Sequence, residues 1–160
     1  MNRNILLFLF FTLVVALFSS CDENRIFEAY KTIPDAKWNK DSLLVFNVPV
    51  TDTIQSQNLL INVRNTTSYG YSNLWLFIEI VQPGGRAVKD TFEITLAKPS
   101  GKWLGEGFGG IKTRQVMYRR NINLPESGDY KVIIQHGMRE KVLEGIHDIG
   151  IRIEKASSEN

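Results

Sequence analysis

Few residues in this 160-residue chain have a type and spacing that could do chemistry, and the first is Cys21. It is the sole cysteine, so no internal disulfide can form. Ahead of it runs Ile5–Phe18, apolar except for Thr12, with Arg3 before that run and Ser19-Ser20 after it. A basic start, an apolar stretch and small residues at the cut describe a bacterial export signal. The run is shorter than the roughly 20 apolar residues a spanning helix needs. A cysteine directly after the small residues reads as the acylated first residue of a mature lipoprotein. Phe18 departs from the aliphatic residue usual three positions before that cysteine. Thioether linkage to lipid removes the oxidation liability of a lone exported thiol. Acyl chains such as palmitate contribute about 0.8 kcal/mol per buried methylene, so several on one cysteine anchor a protein firmly. The expected partner at this end is therefore a membrane, reached through lipid on Cys21, outside the cytoplasm.

Other reactive residues are sparse. His136 and His147 lie in different segments, and no ligand spacing of the H-E-x-x-H or C-x-x-C kind occurs. His147-Asp148 has the types for a base and its orienter, but such a pair without further partners reads as a loop hydrogen bond. The run Gly105-Glu106-Gly107-Phe108-Gly109-Gly110 has the wrong glycine spacing for a phosphate cradle and no helix after it. These residues imply no enzyme, no cofactor and no metal. Trp38, Trp75 and Trp103 are of a type that can stack on sugar rings. Trp75 sits in an apolar run and reads as packing. Trp103, beside Lys102 in a glycine-rich stretch, reads as an anchor for a ligand or partner.

The elements that would position these residues are strands. Phe46, Val48 and Val50 share one face of a first strand, and Leu59, Ile61 and Val63 form the next row, with Asn62 and Arg64 opposite. Asn73–Val81 carries Leu74, Leu76 and Ile78 on one side and Trp75 and Phe77 on the other, which predicts a central strand covered on both faces. Pro83-Gly84-Gly85 turns it into a hairpin with Val88, Phe92, Ile94 and Leu96. Pro99–Gly110 holds five of the twelve glycines and reads as an irregular loop. Two more alternating runs end at Leu124 and Ile134, and Ile149, Ile151 and Ile153 close the pattern. Glu28–Lys31 reads as a helical turn stopped by Pro34, and Met138–Ile146 as one or two helical turns ending at Gly145. The expected organisation is a signal over residues 1–20, an anchor and lead-in over 21–40, one domain over 41–155 and a polar tail over 156–160. About seven or eight short strands predict an all-β antiparallel β-sandwich, immunoglobulin-like or jelly-roll. The net charge of +2 gives no footprint for nucleic acid.

Several stretches resemble a known family. Ser20-Cys21-Asp22, Ile61-Asn62-Val63-Arg64-Asn65 and Tyr71-Ser72-Asn73-Leu74-Trp75-Leu76-Phe77 are similar to the gliding-motility lipoprotein GldH family of Bacteroidota. So are Gly101-Lys102-Trp103-Leu104-Gly105, Gln135-His136-Gly137-Met138-Arg139, and Gly145-Ile146 through Gly150-Ile151. The resemblance implies a lipid-anchored envelope component of gliding, tied to the type IX secretion apparatus, in the outer membrane and facing the periplasm. It carries no catalytic residues. Other gliding and secretion proteins are the implied partners, with a glycan or peptidoglycan as the alternative ligand. The expected contact surface is Lys102–Ile111, led by Lys102 and Trp103, together with the turn holding Met138 and Arg139. Asp41-Ser42-Leu43 and Asp52-Thr53-Ile54 resemble O-glycosylation tripeptides of that phylum, yet Asp-Ser and Asp-Thr are also ordinary turn chemistry, which is the preferred reading.

Overall fold

The structure is a computed structural model that describes residues 22–156. The expected signal peptide and lipidated Cys21 lie outside the described residues, as does the tail beyond Ala156. Ten strands follow one another: β1 (Arg25–Thr32), β2 (Lys37–Asn39), β3 (Leu44–Val50), β4 (Gln57–Thr66), β5 (Asn73–Val81), β6 (Ala87–Thr95), β7 (Ile111–Ile122), β8 (Gly128–His136), β9 (Val142–Glu144) and β10 (Ile146–Lys155).

Their pairing is nested. β1 pairs with β10, β2 with β9, β3 with β8, β4 with β7 and β5 with β6, all antiparallel. The chain thus behaves as one long hairpin rolled onto itself, closed where β10 meets β4 and β8 meets β5. The two resulting sheets have the orders β1-β10-β4-β7 and β3-β8-β5-β6, with β2–β9 a short ribbon. This is the wrapping of a jelly roll and decides between the two sandwiches that the strand count allowed.

Alternation places the core. Leu59, Ile61 and Val63 of β4 and Ile149, Ile151 and Ile153 of β10 face Phe46, Val48, Leu74, Leu76, Tyr130 and Ile134 from the other sheet, and all are buried. Because side chains alternate with period two, each strand commits one face to this interior and one to the outside.

The outer face of the β1-β10-β4-β7 sheet is closed by polar side chains. Asp148 is 2% exposed, and its carboxylate accepts Thr32 Oγ1 at 2.6 Å while pairing with Arg64 at 3.0 Å and His147 Nδ1 at 2.6 Å. Buried Asn62 donates to Glu28 at 3.0 Å and Tyr30 at 2.9 Å and accepts from Gln115 at 2.8 Å. The Tyr30 ring can lie flat on β10 because residue 150 is glycine: a Cβ there would sit 2.6 Å from a ring carbon. Burial pushes the Asp148 carboxyl up, but Thr32, His147 and Arg64 outweigh it and hold the group below its ordinary range. The His147–Asp148 pair is thus part of a clamp tying β1 and β4 to β10.

Two helical expectations are corrected. Glu28–Lys31 is extended within β1, because Phe27 and Ala29 turn to the core while Glu28 and Tyr30 join the outer polar network. Residues 25–39, expected as lead-in, accordingly supply β1 and β2 to the sandwich. Met138–Ile146 contains no helix either; Leu143 pairs across from Trp38 in the β2–β9 ribbon, and Gly145, at φ 95°, turns the chain into β10. Both segments are strands whose partners lie far away in sequence, which local periodicity does not register. A third correction concerns β5. Its second face is open rather than covered, with Trp75 39% and Phe77 43% exposed.

Two stability outcomes follow from buried titratable groups. His136 is buried, and burial lowers its pKa below the ordinary 6.5. A depressed histidine leaves folding stability intact above 6.5 and erodes it as pH falls below that value, because only the unfolded chain takes up the proton easily. Urea unfolding between pH 7.5 and 5 is expected to show this loss in the wild type and to flatten in His136→Phe. Asp148→Asn is expected to cost about 1–3 kcal/mol at pH 7, as it weakens the clamp at a buried site. The loss should exceed that of Arg64→Ala, whose side chain is partly solvated.

Candidate functional site

The nested wrapping gathers the loops at two opposite ends. Register places residues 22–25, 50–57, 81–87, 122–128 and 155–156 at one end. The opposite end collects residues 32–44, 66–73, 95–111 and 136–146. At about 3.3 Å per residue, strands of nine or ten residues put these ends roughly 30 Å apart. The first end carries the chain that follows Cys21. The second carries every other residue singled out as a contact candidate.

At the second end, β5 and the turn after β8 form a groove lined by Tyr71, Asn73, Trp75, Met138, Arg139 and Glu140. Gly137 forms its floor: its amide donates to the Trp75 carbonyl at 2.6 Å, continuing the sheet past β8. Met138 is buried, and its sulfur accepts the Trp75 amide at 3.4 Å. The Tyr71 hydroxyl donates to the Glu140 carboxylate. That hydrogen bond lowers the Glu140 pKa and raises that of Tyr71. Arg139 is exposed at the rim.

The groove opens onto the outer face of the β3-β8-β5-β6 sheet. There Phe77, Leu43 and Ile133 line a shallow hollow of about 600 Å³ with Glu79, Lys89 and Gln135 around them. The site is accessible partly because residue 137 has no side chain. A Cβ there would stand 3.2 Å from Trp75 and 3.3 Å from the Phe77 ring.

The structure distributes the expected residues unevenly. Met138 and Arg139 belong to the groove. Trp103 bridges Ala97 and packs half-buried against the core, closing the end of the sandwich, while Lys102 beside it is exposed. Neither lines the groove, though their loop is tied to its edge, since Leu96 and Ala97 both donate to the Ser72 carbonyl. Trp38 is 1% exposed, with its Nε1 donating to Ser42 and its ring edge-on to His136, so it offers no face for a sugar.

Two exposed aromatic residues carry a signal that the apolar pattern concealed. Trp75 stands across from Glu93, and Phe77 across from Thr91 and Gln135, polar neighbours that mark a solvent-facing row. Phe108, between Gly107 and Gly109, has no alternating partner and projects fully into solvent at the tip of the glycine loop. Among the described residues no three His, Cys, Asp or Glu side chains converge as metal ligands. His136 presents neither ring nitrogen to a partner.

Residues 25–153 match a family profile described as GldH lipoprotein. This chain belongs to the GldH lipoprotein family. The matched span starts with the first residue of β1 and ends two residues before the end of β10, so what the family shares is the whole sandwich. A Christiangramia forsetii protein named "Gliding motility lipoprotein GldH homolog" is 43% identical over 155 residues, covering 92% of this chain and 94% of its own. The Flavobacterium johnsoniae protein named "Gliding motility lipoprotein GldH" is 38% identical over 150 residues, covering 89% and 92%.

The open groove makes this GldH family member measurable by fluorescence. Acrylamide should quench the emission of Trp75 far more than that of Trp38. Trp75→Phe is expected to remove most of the quenchable emission while the circular dichroism of the sandwich persists. An unchanged quenching profile in that variant would mean that the β5 outer face is covered.

Proposed function

We propose that this chain is a lipid-anchored component of the cell envelope that serves surface gliding by holding other envelope proteins in place. In this reading Cys21 carries the lipid into the outer membrane, and the sandwich faces the periplasm. Its partners are proteins of the gliding and type IX secretion assembly, and no reaction is catalysed. The names of its relatives point to motility. The observation that carries the mechanism is the polarity of the sandwich, with anchor attachment at one end and exposed aromatic and basic side chains at the other.

Recognition would use the far end. Phe108 and Trp75 supply rigid apolar area at low entropic cost, Arg139 supplies charge at the rim and Lys102 supplies it on the neighbouring glycine loop. Met138 and Trp103 contribute from beneath, Met138 through the Trp75 backbone and Trp103 by holding the glycine loop against the core. Substituting Met138 or Trp103 would therefore confuse binding with folding, and exposed positions test the reading better.

In a deletion strain, wild-type chain should restore colony spreading and surface adhesin export. A Phe108→Ser, Trp75→Gln, Arg139→Glu triple variant should accumulate and unfold at nearly the wild-type temperature yet fail to restore spreading. Full rescue by the triple variant would discard this surface, and normal spreading of the deletion strain would discard the motility reading. Cys21→Ala should also fail if position at the membrane is part of the mechanism.

A second reading, a glycan- or peptidoglycan-binding module, is favoured by the neighbourhood of Trp75. Asn73 donates to Glu93 at 2.6 Å beside this exposed ring, which sets planar polar groups at the edge of a stacking surface. Soluble peptidoglycan fragments or surface oligosaccharides should then shift Trp75 emission, and the shift should vanish in Trp75→Phe.

A further inference from the structure

The end of the sandwich opposite the groove has apolar features of its own. We propose that this end, led by Ile54 with Ile26 beside it, seats directly on the lipid bilayer, so that the domain stands on the membrane with its groove pointing away. The proposal rests on lipid attachment at Cys21, as argued above.

The first support is the absence of slack. Asp22 follows Cys21 directly in the chain, and its carboxylate is held by Arg152 at 2.6 Å. The Asp22 carbonyl accepts the Arg25 amide at 3.3 Å, and the Asn24 carbonyl accepts the Lys155 amide at 2.8 Å. Consecutive Cα atoms are about 3.8 Å apart, so the acylated residue stays within roughly that distance of a chain position fixed to the folded surface. No flexible linker intervenes to lift the domain off the bilayer, and the surface around Asp22 must meet the headgroups.

The second support is what that surface presents. Ile54 is 92% exposed. Its loop is built rather than slack, for the Asp52 carboxylate accepts the amides of Ile54 at 2.9 Å and Gln55 at 3.1 Å. This ordinary Asx turn holds the isoleucine side chain outward in a fixed position, where it can enter a bilayer brought close by the anchor. Ile26, also exposed, lines a hollow with Thr51, Asp52, Gln55 and Lys155, so the two isoleucines flank one continuous surface.

The third support is polar satisfaction. Ser56 donates to Asn123 at 2.9 Å, the Ser56 carbonyl accepts the Ala156 amide at 3.0 Å, and Gln57 donates to the Asp52 carbonyl at 3.2 Å. Groups already paired lose little when water leaves. Of the acids beside the anchor, Asp22 is paired with Arg152 and Asp52 caps its turn, while Glu23 stays exposed, and exposed Lys155 supplies a cation for lipid phosphate.

The test uses the full lipidated protein. Cys21 is the only natural cysteine and is acylated, so one introduced thiol can be labelled alone. A polarity-sensitive nitrobenzoxadiazole dye is placed at Gln55→Cys, leaving Ile54 intact, or at Glu106→Cys on the far end. The proteins are reconstituted in phosphatidylethanolamine–phosphatidylglycerol vesicles with brominated acyl chains. The expected result is blue-shifted emission with severalfold stronger bromine quenching at position 55 than at 106, falling sharply when Ile54→Asp is added. Protein that floats with the vesicles but shows equal, weak quenching at both positions would overturn the seating while leaving the anchor in place. Protein that does not float would overturn both. Concentration-dependent cross-linking between copies through position 55, without lipid quenching, would assign this end to self-association and likewise overturn the proposal.

Discussion

The ladder between β4 and β10 is the constraint on which the rest of this sandwich depends. It joins Gln57 to Lys155 and Asn65 to Ile146, and it lies in the middle of its sheet with both strands almost wholly buried. β1 pairs with β10 and so joins the rest of its sheet only through this ladder, without which the rolled hairpin has no seam. Because these contacts span most of the chain, their loop entropy must be met before any of them is rewarded, so folding is expected to be cooperative and slow for the chain's size. The Asp148 clamp reinforces the seam from outside. One carboxylate ties Thr32 of β1 and Arg64 of β4 to β10, so three strands share one polar clamp.

The two outer faces answer to different demands. Over β4 and β10 the polar groups saturate one another, through Asn62, Tyr30, Glu28 and Gln115, and leave little to offer a partner. The outer face of the opposite sheet has no such network. Trp75 and Phe77 stand there partly in water, packed so closely over residue 137 that a Cβ would meet them at 3.2 and 3.3 Å. A side chain at 137 would push against both aromatic residues. Glycine there lets the two rings keep their places, half in water, as an aromatic surface of the kind that recognition uses.

Wrapping also gives the molecule a direction. In a nested hairpin each connection falls at a definite end, so the loops after β1, β4, β6 and β8 meet at one end, and those after β3, β5 and β7 meet at the other. The span that matches the GldH family, from β1 into β10, therefore carries an orientation as well as a shape in this chain. With the proposed lipid on Cys21, that direction matters, because a rigid body fixed close to a surface cannot present all its sides equally.

The amino-acid sequence by itself determined the strands that alternate strongly. Leu59-Ile61-Val63, Leu74-Leu76-Ile78 and Ile149-Ile151-Ile153 are each apolar at every second position, and that pattern suits a half-buried strand and little else. It also determined the β5–β6 hairpin, where Gly85 adopts φ 87° in the Pro83-Gly84-Gly85 turn, and the Asp52 turn, whose chemistry is local. Family membership was legible in short runs spread over the chain. Tertiary structure alone decided which sandwich forms, because immunoglobulin-like and jelly-roll arrangements differ in pairing between distant strands and not in any strand's own pattern. It alone made strands of residues 28–31 and 142–144, whose helical reading was reasonable until Ile151 and Trp38 arrived as partners. It alone exposed Trp75 and buried Trp38. An alternating strand states that it has two faces, but which face meets water depends on what the neighbouring strands place beside it, and those neighbours are chosen by the roll of the whole chain.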